Sequence, residues 1–256
     1  MNNRTTALSV FAAACAAAAS AAHAAPLTDN LSIEMFAGGN AAMPGSFRGQ
    51  TLPLETADPA GSTVYHDLKF ADAYDQRYTA GAELDYAFNP RITAFGRAAY
   101  SQFDGSTHEI GRFEPEAPAA FESVNARFHD TATREFDLGT RYTFAPGAKL
   151  RPFVGAAVGA TRLSATRAEF DHVSDTGRTP VELSRAATVF QQRVETGLQY
   201  SPMENFDLRL TAAASHLDAG RRSDDPNLAA VGLDSAHGEL RGHWDYPAEL
   251  GAVWHF

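Results

Sequence analysis

Thirteen charged side chains sit in segments where apolar and small or polar residues alternate. They are Glu34, Glu83, Asp85, Arg97, Glu135, Asp137, Arg141, Arg151, Arg193, Glu195, Asp207, Arg209 and Glu249. Spacings such as Glu83-x-Asp85, Arg193-x-Glu195 and Asp207-x-Arg209 put both groups on one face of an extended chain. The chemistry on offer is ionic, because a guanidinium fork can bridge two carboxylates. Two outcomes stay open at this point. The pairs form a packed polar plug, or they line a narrow ion pathway in which they rearrange.

Other reactive types are sparse or poorly spaced. Of nine histidines, His66, His108, His129, His172, His237 and His243 scatter between the alternating segments, and none has a His-x-x-x-His partner. Solvated loop histidines are expected, with no metal and no cofactor. Asp224-Asp225-Pro226-Asn227 is acidic but lacks a full calcium-loop pattern. The one cysteine, Cys15, follows three alanines without the leucine that a lipidation site carries three residues earlier. The chain holds 21 basic and 31 acidic side chains. That balance argues against nucleic acid, whose phosphates demand Lys and Arg.

Eight stretches of period-two alternation must position the charges. They predict strands over 31–39, 77–88, 91–102, 134–144, 150–163, 189–200, 206–216 and 246–256. Most are long enough to cross a hydrocarbon layer, which takes about 9–11 tilted residues. The connections alternate in length. Asn89-Pro90, Ala145 to Lys149 and Ser201 to Asn205 are short and rich in turn residues. The other four, near 40–76, 103–133, 164–188 and 217–245, are long. Three short turns and four long loops suit eight antiparallel strands with both termini on the periplasmic side.

Each strand has an apolar face opposite its charges. In the second it is Tyr78, Ala80, Ala82, Leu84, Tyr86 and Phe88; in the last it is Tyr246, Ala248, Leu250, Ala252, Trp254 and Phe256. Aromatics gather at the short-turn ends (Tyr86, Phe88, Tyr142, Phe144, Tyr200, Phe206, Trp254 and Phe256), as a periplasmic girdle would. Tyr78, Tyr100, Phe190, Trp244 and Tyr246 mark a second girdle. Gly81, Gly139, Gly155, Gly159, Gly197 and Gly251 share the charged face and are expected to leave room for arginines. The competing architecture is a soluble sandwich with charged outer faces and an apolar core.

Residues 1–24 read as a secretory signal peptide: Arg4, an apolar stretch from Ala7 to Ala19, and Ala22-His23-Ala24 as a cleavage pattern. Losing Arg4 takes the formal charge from −10 to −11. Residues 25–256 are expected to form one barrel domain in a Gram-negative outer membrane.

The signal peptide, the strand count, the run Arg151-Pro152-Phe153-Val154-Gly155-Ala156-Ala157-Val158-Gly159 and the closing Trp254-His255-Phe256 carry a resemblance. The chain resembles the eight-stranded outer-membrane β-barrels of the OmpA-transmembrane, OmpX and opacity-protein type, over essentially the whole mature length. The resemblance implies an all-β, antiparallel up-and-down transmembrane barrel. It implies lipid and lipopolysaccharide as surroundings, and the barrel-assembly machinery as a partner reading Trp254 and Phe256. An extracellular ligand would be met by the long loops. Unlike OmpA itself, the chain is expected to carry no peptidoglycan-binding domain, so a cell-wall tether is not implied. Barrels of this size include lipid A deacylases with a His-x-Ser-Asn motif. The nearest match, His216-Leu217-Asp218-Ala219, lacks the serine, so the nucleophile–base logic fails there. The expected role is non-enzymatic: structural, adhesive or interactive at the cell surface. A small passive pore is the second reading and a lipid A-modifying enzyme the third.

The face assignment is testable. Leu84→Arg should block insertion, at a cost of about 2–4 kcal/mol at the bilayer midplane. Thr79→Arg, at the inner rim, should be milder. Folded yield in detergent after refolding separates the two.

Overall fold

The computed structural model describes residues 30–39, 46–47, 51–54, 61–115, 122–170, 180–219, 238–239 and 242–256. The expected signal peptide, Cys15, His172, His237 and the Asp224 to Asn227 run lie outside them. Eight long strands carry the fold: β1 (Leu31–Gly39), β2 (Tyr74–Asn89), β3 (Ile92–Gly105), β4 (Thr131–Thr143), β5 (Leu150–Leu163), β6 (Ala187–Met203), β7 (Phe206–Leu217) and β8 (Ala248–His255). Each pairs antiparallel with the next in sequence, except that β8 pairs with β7 and β1. The sheet therefore closes on itself as an eight-stranded up-and-down barrel. Closure removes the unpaired edges that an open sheet exposes.

Alternation in sequence becomes alternation in space. Along β4, Glu135, Asp137 and Arg141 are buried, while Phe136, Leu138 and Tyr142 are exposed. Along β2, Glu83 and Asp85 are buried between exposed Leu84 and Tyr86. The apolar residues thus face outward and the charged ones face the lumen, opposite to a soluble sandwich. The short turns follow their residues. Asn89 Oδ1 accepts from the backbone N–H of Arg91 and Ile92, closing the first turn. Ala145 sits at φ 47°, in the left-handed region, and its carbonyl accepts from Ala148 N at 3.0 Å. Edge-to-face ring pairs Tyr86–Phe88 and Tyr142–Phe144 sit beside these turns, at 5.1 and 5.0 Å.

The last strand departs from the expected span. Alternation predicts one strand from residue 246, whereas β8 starts at Ala248 and His243–Asp245 forms a separate short strand on β7. Pro247 explains the break, because it has no N–H for the ladder. Its carbonyl still accepts from Ala213 N at 3.0 Å.

The long connections carry order that the lengths alone do not reveal. Six segments form a second antiparallel sheet, in the order Pro180–Ser184, Thr166–Phe170, Glu122–Phe128, Thr107–Pro115, Gly61–Tyr65 and Thr51–Leu54. Gly238–Glu239, Ser46–Phe47 and Leu68–Lys69 make a third, smaller one. Ile110, Val124, Ala126, Phe128, Ala168, Val181 and Leu183 pack into one apolar cluster with Phe70 and Ala73 of the short helix α1 (Phe70–Ala73). Tyr74 and Phe103, at the long-loop ends of β2 and β3, complete it, with ring centroids 6.1 Å apart. Phe103 shares the lumen parity of Arg97, Ala99 and Ser101. The apolar cluster therefore begins where the polar lumen ends.

Val181→Asp places a charge in this cluster from a loop segment outside the eight barrel strands. The loop segments should become protease-sensitive, while the barrel keeps its heat-dependent gel mobility shift. Loss of the shift as well would mean that the two layers fold as one unit.

Candidate functional site in the barrel lumen

The thirteen charged residues converge in the lumen from all eight strands. Glu34 comes from β1, Glu83 and Asp85 from β2, Arg97 from β3, and Glu135, Asp137 and Arg141 from β4. Arg151 comes from β5, Arg193 and Glu195 from β6, Asp207 and Arg209 from β7, and Glu249 from β8. All are buried except Arg151, whose side chain is 22% exposed near the short-turn end.

They form one connected network. Arg97 donates to Glu135 at 3.2 Å, Asp137 at 3.3 Å and Glu249 at 2.6 Å. Glu249 also accepts from Arg193, at 2.8 Å, and Arg193 reaches Glu195 at 3.2 Å. Glu195 accepts from Arg141 at 2.7 Å. Arg141 meets Glu83 at 2.9 Å and Asp85 at 3.4 Å. Both acids are shared with Arg209, each at 2.7 Å, and Arg209 also donates to Glu34. Gln199 then links Arg209 to Asp207, which accepts from Arg151 and from His255, the latter at 2.7 Å.

Aromatic rings support the cations. The Arg97 guanidinium lies 4.4 Å from the Phe36 ring centroid. That of Arg141 lies 4.6 Å from Phe95 and 4.9 Å from Phe153. Such contacts favour a desolvated cation by about 2 kcal/mol or more. These three phenylalanines are nearly fully buried. Sequence reasoning passed over them because it sought charges on the lumen face. Phe36 shares the parity of Glu34, Phe95 that of Arg97 and Phe153 that of Arg151, which places all three on the lumen face.

The lumen glycines do something other than expected. The atoms nearest to their missing methyl groups belong mainly to rings, carboxylates and backbone carbonyls, not to arginines. A Cβ at Gly197 would strike the Phe153 ring, and one at Gly251 would strike the Glu34 carboxylate. The glycines make room for the rings and acids on which the arginines rest.

Seven acids (Glu34, Glu83, Asp85, Glu135, Asp137, Glu195, Glu249) surround four deeply buried arginines (Arg97, Arg141, Arg193, Arg209). Glu34, Glu83 and Asp85 bring their oxygens within 4.8 Å of one another, and Arg209 contacts all three. The arrangement clamps strands together by paired, desolvated charge. At the short-turn end a cavity of about 360 Å³ is lined by Lys149, Arg151, Ser201, Glu204, Asp207 and His255, among others.

Among the described residues, no nucleophile stands beside His216 at the rim. His216 stacks on Trp244 at 5.1 Å, and its Nδ1 lies 3.7 Å from Asp218. Ser215 is buried on the opposite face of the strand. A neighbour with the right hydroxyl therefore points away from the imidazole. Of the other loop groups, Arg112 pairs with Glu114 at 2.7 Å, His129 with Glu169 at 3.1 Å, and Glu109 accepts from Ser123 at 3.0 Å.

No family model and no curated protein matches the chain. Among solved structures it is similar to Neisserial surface protein A, at 12% identity and a TM-score of 0.42, over 89% of this chain and 97% of that one. It is also similar to Ail, the attachment invasion locus protein of Yersinia pestis, at 12% identity and a TM-score of 0.37, over 89% and 99%. A third is the N-terminal β-barrel domain of Pseudomonas aeruginosa OprF, at 15% and 0.32, over 88% and 97%. The architecture itself rests on the closed strand order rather than on these likenesses.

Removing one arginine should expose how the network is held. Arg141→Met leaves Glu83, Asp85 and Glu195 short of a partner and should cost about 3–5 kcal/mol. Arg112→Met, on the half-exposed loop pair, should cost about 0–1 kcal/mol. Denaturant midpoints in detergent compare the two.

Proposed function

We propose that the chain is a non-enzymatic outer-membrane barrel that presents its ordered loop layer at the cell surface in a structural, adhesive or interactive role. The observation that carries this reading is the outward belt. Leu84, Leu138, Val158, Val194, Leu210 and Leu250 are each more than half exposed, around a cylinder with charge inside. Monomeric soluble proteins rarely show contiguous apolar area on that scale. Lipid is the solvent that suits it, and the exposed rings at the short-turn ends suit the bilayer interface.

The lumen favours structure over conduction. Its guanidiniums each hold two to four groups across the bore, and the apolar cluster lies at the long-loop end of the same bore. An eight-stranded barrel is just wide enough for side chains to fill it. On this reading, lipopolysaccharide surrounds the upper belt and a ligand would meet the loop sheet. The outward Trp254 and Phe256 would be the residues read by the assembly machinery. The separation of Ser215 from His216 supports a role without catalysis.

Two measurements test the proposal. The purified chain should need detergent and shift its gel mobility on heating, as closed barrels do; monodispersity in plain buffer would overturn the membrane reading. In planar bilayers it should show no steady open state. A stable, ion-selective conductance would favour the pore instead.

A further inference from the structure

The outer face carries an arrangement that the barrel itself does not require. Arg134 of β4 and Arg162 of β5 are direct cross-strand partners, and both are exposed. Like charges placed directly opposite each other on one sheet face repel. Among the described residues no carboxylate pairs with either. The same row continues to Tyr100 on β3 and Thr188 on β6, which adds a hydroxyl on each side.

The row next to it, toward the short turns, is apolar: Ala98, Phe136, Ala160 and Phe190. Leu138 and Val158 follow on the same face. From the Tyr142 girdle to Arg134 the strand covers about 27 Å at roughly 3.4 Å per residue. A tilt of about 40° reduces that to about 20 Å of height, against an apolar band about 25 Å tall. The pair therefore sits about 5 Å below the upper edge of the band, level with Tyr100 of the second girdle, close enough for side chains as long as arginine's to reach up to the lipid headgroups.

We infer that Arg134 and Arg162 form a binding site for the phosphate of an outer-leaflet lipid headgroup. This rests on the membrane reading above. One phosphate accepts from both guanidinium forks, which turns the repulsive pair into a bridged one. A lipid is the source, rather than free phosphate, because the rows below offer the acyl chains an apolar track at the same azimuth. The hydroxyls of Tyr100 and Thr188 are placed to bind the headgroup's remaining oxygens.

The test uses the full chain in detergent micelles and native mass spectrometry, with three probes. They are bisphosphorylated lipid A, the same lipid without phosphates, and phosphatidylcholine. Wild type should retain lipid A about tenfold or more better than Arg134→Gln/Arg162→Gln, with no difference for the dephosphorylated lipid. Equimolar inorganic phosphate should not displace it. Arg134→Glu, which gives Arg162 an internal partner, should also lose lipid A while its heat-shift temperature holds or rises. Equal retention of lipid A by wild type and the double variant overturns the site. Displacement by free phosphate overturns the lipid assignment. If both proteins stay monodisperse without detergent and take up no lipid at all, the membrane reading falls together with the site. If both insert and differ in nothing, only the site falls.

Discussion

The fold depends on pairing charge that has been taken out of water. Desolvating a guanidinium and a carboxylate costs several kcal/mol each, and only good geometry with further hydrogen bonds offsets it. Here the geometry comes from sharing. Glu83, Asp85, Glu195 and Glu249 each touch two arginines. Those arginines in turn bind several strands at once, and Arg97, Arg141 and Arg209 also lie over rings. Each partner is held by more than one neighbour, so the pairing survives small motions of any one strand. Packing and electrostatics are the same interaction in this lumen.

The outer face and the loop layer follow from that constraint. With the charges turned inward, every intervening residue is turned out, and a sheet that closes has no other surface on which to put its leucines and valines. The loop layer has its own logic. Its strands are too short to stand alone, yet stacked six across they bury Ile110, Val124, Phe128, Val181 and Leu183 against Phe70. Burying side chains of that size contributes about 1.5–3 kcal/mol each. The layer gains a core that no single connection could supply.

Much of this was legible in the residues. Alternation located all eight barrel strands, because an exposed leucine and a buried charge cannot trade places without a large penalty. The parity of Glu83, Asp85, Arg97 and Arg141 in the sequence puts them on the lumen face, where they are buried. What stayed illegible was contact between distant segments. Nothing near Arg141 in sequence names Phe153, and nothing near Phe128 names Val181. The run Glu122-Ser-Val-Asn-Ala-Arg-Phe128 does alternate, but it is short and flanked by charge, so its period was masked. The break at Pro247 was visible as a missing N–H and still fell inside an otherwise regular pattern. His255 was seen as part of an aromatic ending, although its parity faces Asp207.

The seam between the first and last strands shows what such an arrangement asks of assembly. Glu34 of β1 reaches across to the bare backbone of Gly251 on β8, while its carboxylate is held by Arg209 on β7. Glu249 on β8 is held by Arg97 and Arg193, from two other strands. Before the two strands meet, these acids lack the enclosure that sets their partners in place. Closing the final ladder is thus also the step that completes the enclosure of Glu34 and Glu249, whereas Arg141 joins Glu83, Asp85 and Glu195 through strands away from the seam.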